Sequence, residues 1–385
     1  RYGDEGFGDP YLLPNKTYCE SCSSIAHVFW QHRMNLLRGE AKYADVMELI
    51  LYNAALSGMS LSGDSFSYQN PLESRKGAER REWIGLACCP TNLARFTPQV
   101  SGYVYAHADQ QLFVNLYAAG EGTVEMDDGS IVKLTQETKY PWDGRIRLTV
   151  SPQEPSDFDL CLRIPGWALG KPDPSDLYRF AKPQTTAVTL KVNGEPVEAE
   201  PGRDGYVHLK RSWKAGDLVE LDLPMPVRRV LAHEKVEANR GRVALMRGPV
   251  VYCLEGIDHQ DTDLLKLSLP RSTALAAEPR PALLGGVTVI RTQGLDADQA
   301  PVDLTAIPYH AWANREKGPM TVWIQESIDT DPGPDAGKRC GRDRAWQDRC
   351  DLVDRLHARL CPFTPVRKPV GSRDMMKSTM YGVTG

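Results

Sequence analysis

The apolar residues of this chain change period once, near residue 103, and that change restricts it to a fold in which a helical part precedes a β part. Before the change, Ile25, Val28, Phe29, His32 and Leu36 recur at steps of three and four. So do Tyr43, Val46, Met47, Ile50, Leu51 and Ala54, and each set makes one apolar stripe on a helix. A third helix is expected to start after Cys88-Cys89-Pro90, because proline suits a first helical position. Its apolar run Leu93, Phe96, Val100 and Tyr103 meets Pro98, which should kink or shorten it.

After residue 103 the apolar positions alternate. Runs such as Gln111–Tyr117, Arg145–Val150, Asp159–Pro165, Val188–Val192 and Leu218–Leu223 read as strands, and Asn193-Gly194 is a hairpin turn signal. Short strands with regular turns predict antiparallel β-sandwich architecture. The expected division is a helical region over 1–102, a β-sandwich over 103–226 and a second β-rich sandwich domain over 227–325. The remaining segment, 326–385, is atypical: rich in Arg, Asp and Pro, without sustained alternation, and expected to be disordered.

A formal net charge of −4 gives no electrostatic case for a nucleic-acid or anionic-membrane partner. No apolar run approaches the ~20 residues that span a bilayer. The chain opens at Arg1 with a motif-like stretch, which reads as a piece whose upstream half is elsewhere.

Nine cysteines in 385 residues do not make a disulfide scaffold. Cys161 and Cys253 sit alone in strand-like runs and read as buried, inert thiols. Cys19, Cys22, Cys88 and Cys89 instead form two tight groups, near Glu20 and at the expected start of the third helix. Thiolates with a carboxylate suit a zinc ion, and adjacent cysteines do not readily form a disulfide with each other. A cysteine at a helix N-terminus also feels the positive end of the helix dipole, which favours the nucleophilic thiolate. The same residues admit a purely structural Cys₄ zinc site, a thioredoxin-like redox pair or unliganded core thiols. Spacing by itself supports a metal or thiol site and names no substrate.

A resemblance supplies more. Glu5-Gly-Phe-Gly, Leu13-Pro-Asn, Glu20-Ser-Cys22, Tyr43-Ala-Asp-Val-Met-Glu48, Tyr68-Gln-Asn70-Pro-Leu-Glu73 and Cys88-Cys89-Pro-Thr-Asn92-Leu-Ala-Arg95 together resemble glycoside hydrolase family 127. Downstream, Arg163-Ile-Pro-Gly-Trp167, Arg247-Gly-Pro-Val-Val-Tyr252 and Tyr309-His-Ala-Trp312 extend the likeness to about residue 325. The resemblance implies a multidomain α + β chain, with the C-terminal part of an (α/α)6 catalytic barrel over 1–102 followed by antiparallel β-sandwich domains.

It also implies a retaining exo-glycosidase that releases L-arabinose from β-L-arabinofuranosides, with a plant-type arabinose-containing oligosaccharide or glycoconjugate as partner. Cys88 would be the nucleophile and Glu5 the general acid/base. Glu20, Cys22, Cys88 and Cys89 would hold Zn2+, and Glu48 and Tyr68 would line the sugar pocket. In retaining enzymes with two carboxylates these groups stand roughly 5–5.5 Å apart, and here a thiolate replaces one of them. The implied piece of a barrel would be inactive or nearly so by itself. The alternative reading is a non-catalytic, zinc-stabilised carbohydrate-binding protein; a third is a redox or metal-handling protein. Residue by residue, Glu5 also reads as an ordinary loop carboxylate, Tyr68 as core, and Trp167 as a sandwich-core tryptophan rather than a sugar platform.

Overall fold

The structure, a computed structural model, describes residues 6, 8–85, 87–327 and 377–378. Glu5 and nearly all of the 326–385 segment lie outside the described residues.

Three α-helices form in the first hundred residues: α1 (Ser21–Arg38), α2 (Ala41–Leu49) and α3 (Cys88–Phe96). Helix α2 runs on as a π-helical stretch, Ile50–Ala55, and a short 3₁₀ turn, Leu56–Gly58. Helix α3 starts earlier than the proline suggests, at Cys88. Pro90 is then its third residue, where the missing N–H still removes no intrahelical bond because the first four N–H groups of a helix have no partner within it. Pro98 acts as expected, and the chain continues as the 3₁₀ segment Thr97–Tyr103.

These helices are not an (α/α)6 barrel. A barrel needs a ring of helical hairpins closing on one another, whereas the described chain is mostly β, and its three α-helices pack on one another and share one core with strands. Ile25, Val28, Ala44, Met47, Leu93 and Phe96 share one core with Leu112, Val114, Leu160 and Leu162. Phe29 and Phe96 meet edge to face at 5.7 Å where α1 crosses α3. Gly58 lets the turn approach both helices: a Cβ there would lie 2.8 Å from Ser21 Oγ and 3.2 Å from a Leu93 methyl.

Two sheets share the core of the middle region. One is wholly antiparallel, in the order Glu195–Val197, Thr189–Val192, Asp217–Asp222, Arg145–Pro152, Ile131–Thr138, Gly120–Glu125. Its Asn193-Gly194 turn has φ of 53° and 83°, the positive pair that a two-residue hairpin with matching twist requires. The other places Tyr206–Trp213, Ser156–Arg163, Gln111–Val114 and Tyr105–Ala108 side by side, with Lys377–Ser378 at its edge. Alternate residues of Arg145–Pro152 are buried, as a half-covered strand demands.

The last region supplies nine strands of an eleven-stranded sheet, which Glu73–Ser74 and Tyr178–Phe180 complete, with a second apolar core around Leu245, Tyr252, Leu254, Ile290 and Leu304. The architecture is not purely antiparallel. Gln111–Val114 runs parallel to Ser156–Arg163, and Ser268–Pro270 runs parallel to Ile324–Ser327.

Polar links tie the helical part to both β regions. Arg163, fully buried, reaches Asp45 at 2.6 Å and also pairs with Glu48. The Asn53 amide donates to the Leu49 and Pro249 carbonyls and accepts from the Val251 N–H, each at 2.8 Å. Such fully used buried amides fix one docking geometry.

Candidate active site

Glu20 ends an extended segment and is the residue from which α1 begins. The Ser21 N–H bonds the Tyr68 carbonyl at 3.0 Å and the Asn70 N–H bonds the Cys19 carbonyl at 2.9 Å, so the 66–70 segment pins this junction. Cys22 is the second residue of α1. Helix α3, packed across α1, brings Cys88 and Cys89 to the same place from its own first turn.

The four side chains converge. One donor atom each from Glu20, Cys22, Cys88 and Cys89 lies within 4.8 Å of every other. Cys22 Sγ and Cys89 Sγ are 3.4 Å apart, Cys88 Sγ and Cys89 Sγ 3.8 Å. Glu20 Oε1 stands 3.7 Å from Cys88 Sγ and 3.8 Å from Cys89 Sγ. These separations are far beyond a disulfide's ~2.05 Å. They match the edges of a tetrahedron around a metal with ~2.3 Å bonds to sulfur, which are about 3.8 Å. The donor set therefore fits a borderline-soft divalent ion by both chemistry and spacing.

Burial pushes the Cys22 thiol up to about 11, against the opposing pull of its Asn92 hydrogen bond. Burial also raises Cys89. Without metal these two sulfurs carry protons at neutral pH, and a metal ion would displace them. The three thiols differ in exposure: Cys89 is buried, Cys22 intermediate and Cys88 exposed.

Two residues to which the sequence assigned no role complete the surroundings. Asn92 donates to Cys22 Sγ at 3.1 Å, and Arg95 donates in turn to the Asn92 carbonyl oxygen. Asn92 stands one helical turn after Cys88, the spacing that could have marked it. Tyr18 donates to Glu20 Oε2 at 2.9 Å and bonds the Tyr68 hydroxyl. It lies two positions before Glu20 in an extended stretch and so shares its face, while Cys19 points the other way and takes no part in the cluster.

Tyr68 thus reaches the cluster through Tyr18. Glu48 does not. Its carboxylate is fully buried and taken up by Arg163, by Tyr140 Oη at 2.6 Å and by Trp167 Nε1 at 3.2 Å. The oxygens of Glu48, expected to line the sugar pocket, are bonded inside the protein here and hold α2 to the middle region. Trp167, 5% exposed, is the core indole the sequence suggests, bonded to the same carboxylate. The acid/base expectation for Glu5 lies outside the described residues.

Three family models match successive parts of the chain: the β-L-arabinofuranosidase GH127 catalytic domain over residues 2–102, the GH127 middle domain over 111–225 and the family's C-terminal domain over 227–325. The chain belongs to glycoside hydrolase family 127. A non-reducing end β-L-arabinofuranosidase of Bifidobacterium longum subsp. longum is 34% identical over 83% of this chain and 51% of its own length. Among solved structures, a GH127 β-arabinofuranosidase is 44% identical at a TM-score of 0.79, covering 83% of this chain and 51% of that one. A GH127 β-L-arabinofuranosidase from Geobacillus stearothermophilus T6 is 42% identical at a TM-score of 0.75, covering 82% and 51%. This family 127 chain spans about half the length of the curated relative it matches.

Proposed function

We propose that the protein acts in retaining hydrolysis of terminal β-L-arabinofuranosides, releasing L-arabinose, with Cys88 as nucleophile. The names of its relatives supply the sugar, and plant-type oligosaccharides or glycoconjugates are the source class that the resemblance suggests. The observation that carries the choice of residue is exposure. Of the three convergent thiols Cys88 alone is exposed, at the first position of α3, where the helix dipole favours an anion.

Glu20, Cys22, Cys88 and Cys89 would hold the metal, zinc by the chemistry of the donor set. When bound, the ion keeps the sulfurs ionised and fixed at neutral pH. The Cys88 thiolate attacks the anomeric carbon, and the bond from that carbon to the leaving oxygen breaks with its electron pair going to the oxygen. Glu5, in the role that the resemblance gives it, protonates that oxygen. The carboxylate then takes a proton from water as the water oxygen displaces Cys88 sulfur, so configuration is inverted twice and retained overall. Tyr68 would contact the sugar, with Tyr18 holding its hydroxyl.

The test is to trap the covalent intermediate. Protein expressed from its complete reading frame is quenched during turnover of p-nitrophenyl β-L-arabinofuranoside, digested and mapped by mass spectrometry. A pentosyl adduct on Cys88, with turnover lost in Cys88→Ser, is the expected result. An adduct on another residue, or turnover in Cys88→Ser equal to wild type, would overturn the assignment. Sugar binding without turnover in metal-loaded protein would favour the carbohydrate-binding reading.

A further inference from the structure

A second cluster lies on the middle region, on the face of the sheet turned away from the sandwich core. Cys161 of strand Ser156–Arg163 is paired directly across the sheet with His208 of strand Tyr206–Trp213. Asp159, two residues before Cys161, shares its face. His208 Nδ1 is 2.7 Å from Asp159 Oδ2 and 3.5 Å from Cys161 Sγ, and the three donor atoms lie within 4.8 Å of one another. We propose that Asp159, Cys161 and His208 form a second cation site, for a borderline divalent ion of the zinc class.

Three observations support it beyond proximity. The other ring nitrogen, His208 Nε2, sits 3.0 Å from Asp204 Oδ2. A carboxylate on the far nitrogen is the arrangement that orients metal-ligating histidines and sharpens the donor lone pair of the near one. Asp159 Oδ1 is buried and has no hydrogen-bond partner, a cost that a cation would remove. Cys161 is a fully buried free thiol whose sulfur faces these groups and not the apolar interior alone.

The donor chemistry narrows the ion. Sulfur and imidazole nitrogen with one carboxylate exclude a preference for calcium or magnesium and favour zinc-like ions. Three protein ligands leave a fourth position. Gln111, on the neighbouring strand, donates its amide to Asp159 Oδ2 at 3.1 Å and lies 3.8 Å from Cys161 Sγ. Turned over, that amide offers its oxygen instead. The site would clip two strands together beside the first turn of α2, where the Ala41 N–H bonds the Asp204 carbonyl at 2.7 Å.

Cobalt reads the site, because thiolate ligation gives Co2+ a near-ultraviolet charge-transfer band. Metal-stripped 385-residue chain carrying Cys88→Ser and Cys89→Ser, so that the first cluster is disabled, is titrated with Co2+. The expected result is one ion per chain with a single-thiolate band, abolished by adding His208→Gln. Absence of the band, or a band indifferent to His208→Gln, overturns the proposal. Should circular dichroism show the double variant unfolded, the comparison moves to the unmodified chain. There two ions per chain should fall to one in His208→Gln, and an unchanged count overturns the site.

Discussion

Two glutamates of the helical region are both buried and have opposite surroundings. Glu48 faces a guanidinium, a phenol and an indole, so every partner neutralises or donates to it. Glu20 turns one oxygen toward the sulfurs of Cys88 and Cys89 and the other toward Tyr18. The same residue type at nearly the same depth is closed off by a built-in cation in one place and stands among convergent thiols in the other. What decides is the charge that completes it: Arg163 is built into the chain for Glu48, whereas the donor set around Glu20 calls for an ion from solution.

The contrast is tested most strongly at the arginine. Arg163→Met strips the cation from Asp45 and Glu48 at once and leaves buried carboxylates without their partner, which should destabilise the protein by about 3–5 kcal/mol. Urea unfolding of metal-free protein measures it. Glu20→Gln in the same assay should cost under about 1 kcal/mol, while zinc content by elemental analysis falls. A Glu20→Gln protein as destabilised as Arg163→Met would abolish the distinction.

The comparison also explains what the sequence could and could not disclose. The helix stripes were legible because Ile25, Val28, Met47 and Leu93 need only local periodicity to be recognised, and all four are buried. Glu20-x-Cys22 and Cys88-Cys89 stood out because metal-ligand types rarely cluster so tightly without reason. The buried pairing of Glu48 was not legible because its partner Arg163 is 115 positions away, and nothing local announces a long-range ion pair. The stripe ending at Ala54 carried no sign that its second half would be π-helical, since three- and four-residue spacing does not separate the two helix types. The barrel expectation came from resemblance, and the described chain is instead mostly β, with only three α-helices that share a core with strands. Parallel pairing was equally hidden: a strand's alternation fixes which face is buried, not the direction of its neighbour.

A smaller effect sharpens the chemical half of the comparison. Tyr18→Phe removes the donor that fixes the Glu20 carboxylate and breaks its link to Tyr68. Partners of this kind, behind a ligand, typically alter metal affinity by 10–100-fold. Zinc affinity measured against a competing chelator should weaken by roughly that factor, with unfolding in metal-free protein little changed. Affinity unchanged within error would mean that Glu20 holds its orientation without Tyr18.

The smallest expected effect is at Asn92. Its amide gives Cys22 a single neutral hydrogen bond at 3.1 Å, and Arg95 keeps that amide from turning over. A neutral bond of this sort contributes about 0.5–1.5 kcal/mol net, so Asn92→Ala should weaken zinc binding by no more than about tenfold. The amide bonds Cys22 and not the exposed Cys88, so the substitution should act on how tightly the metal is held more than on the reacting sulfur. Metal-saturated Asn92→Ala should then keep kcat within a factor of about two to three of wild type, a shift below ~0.7 kcal/mol. A large fall in kcat with zinc fully bound would show that the electronic state of Cys22 reaches Cys88 through the shared ion. The division between a spectator ligand and a reacting one would then have to be given up.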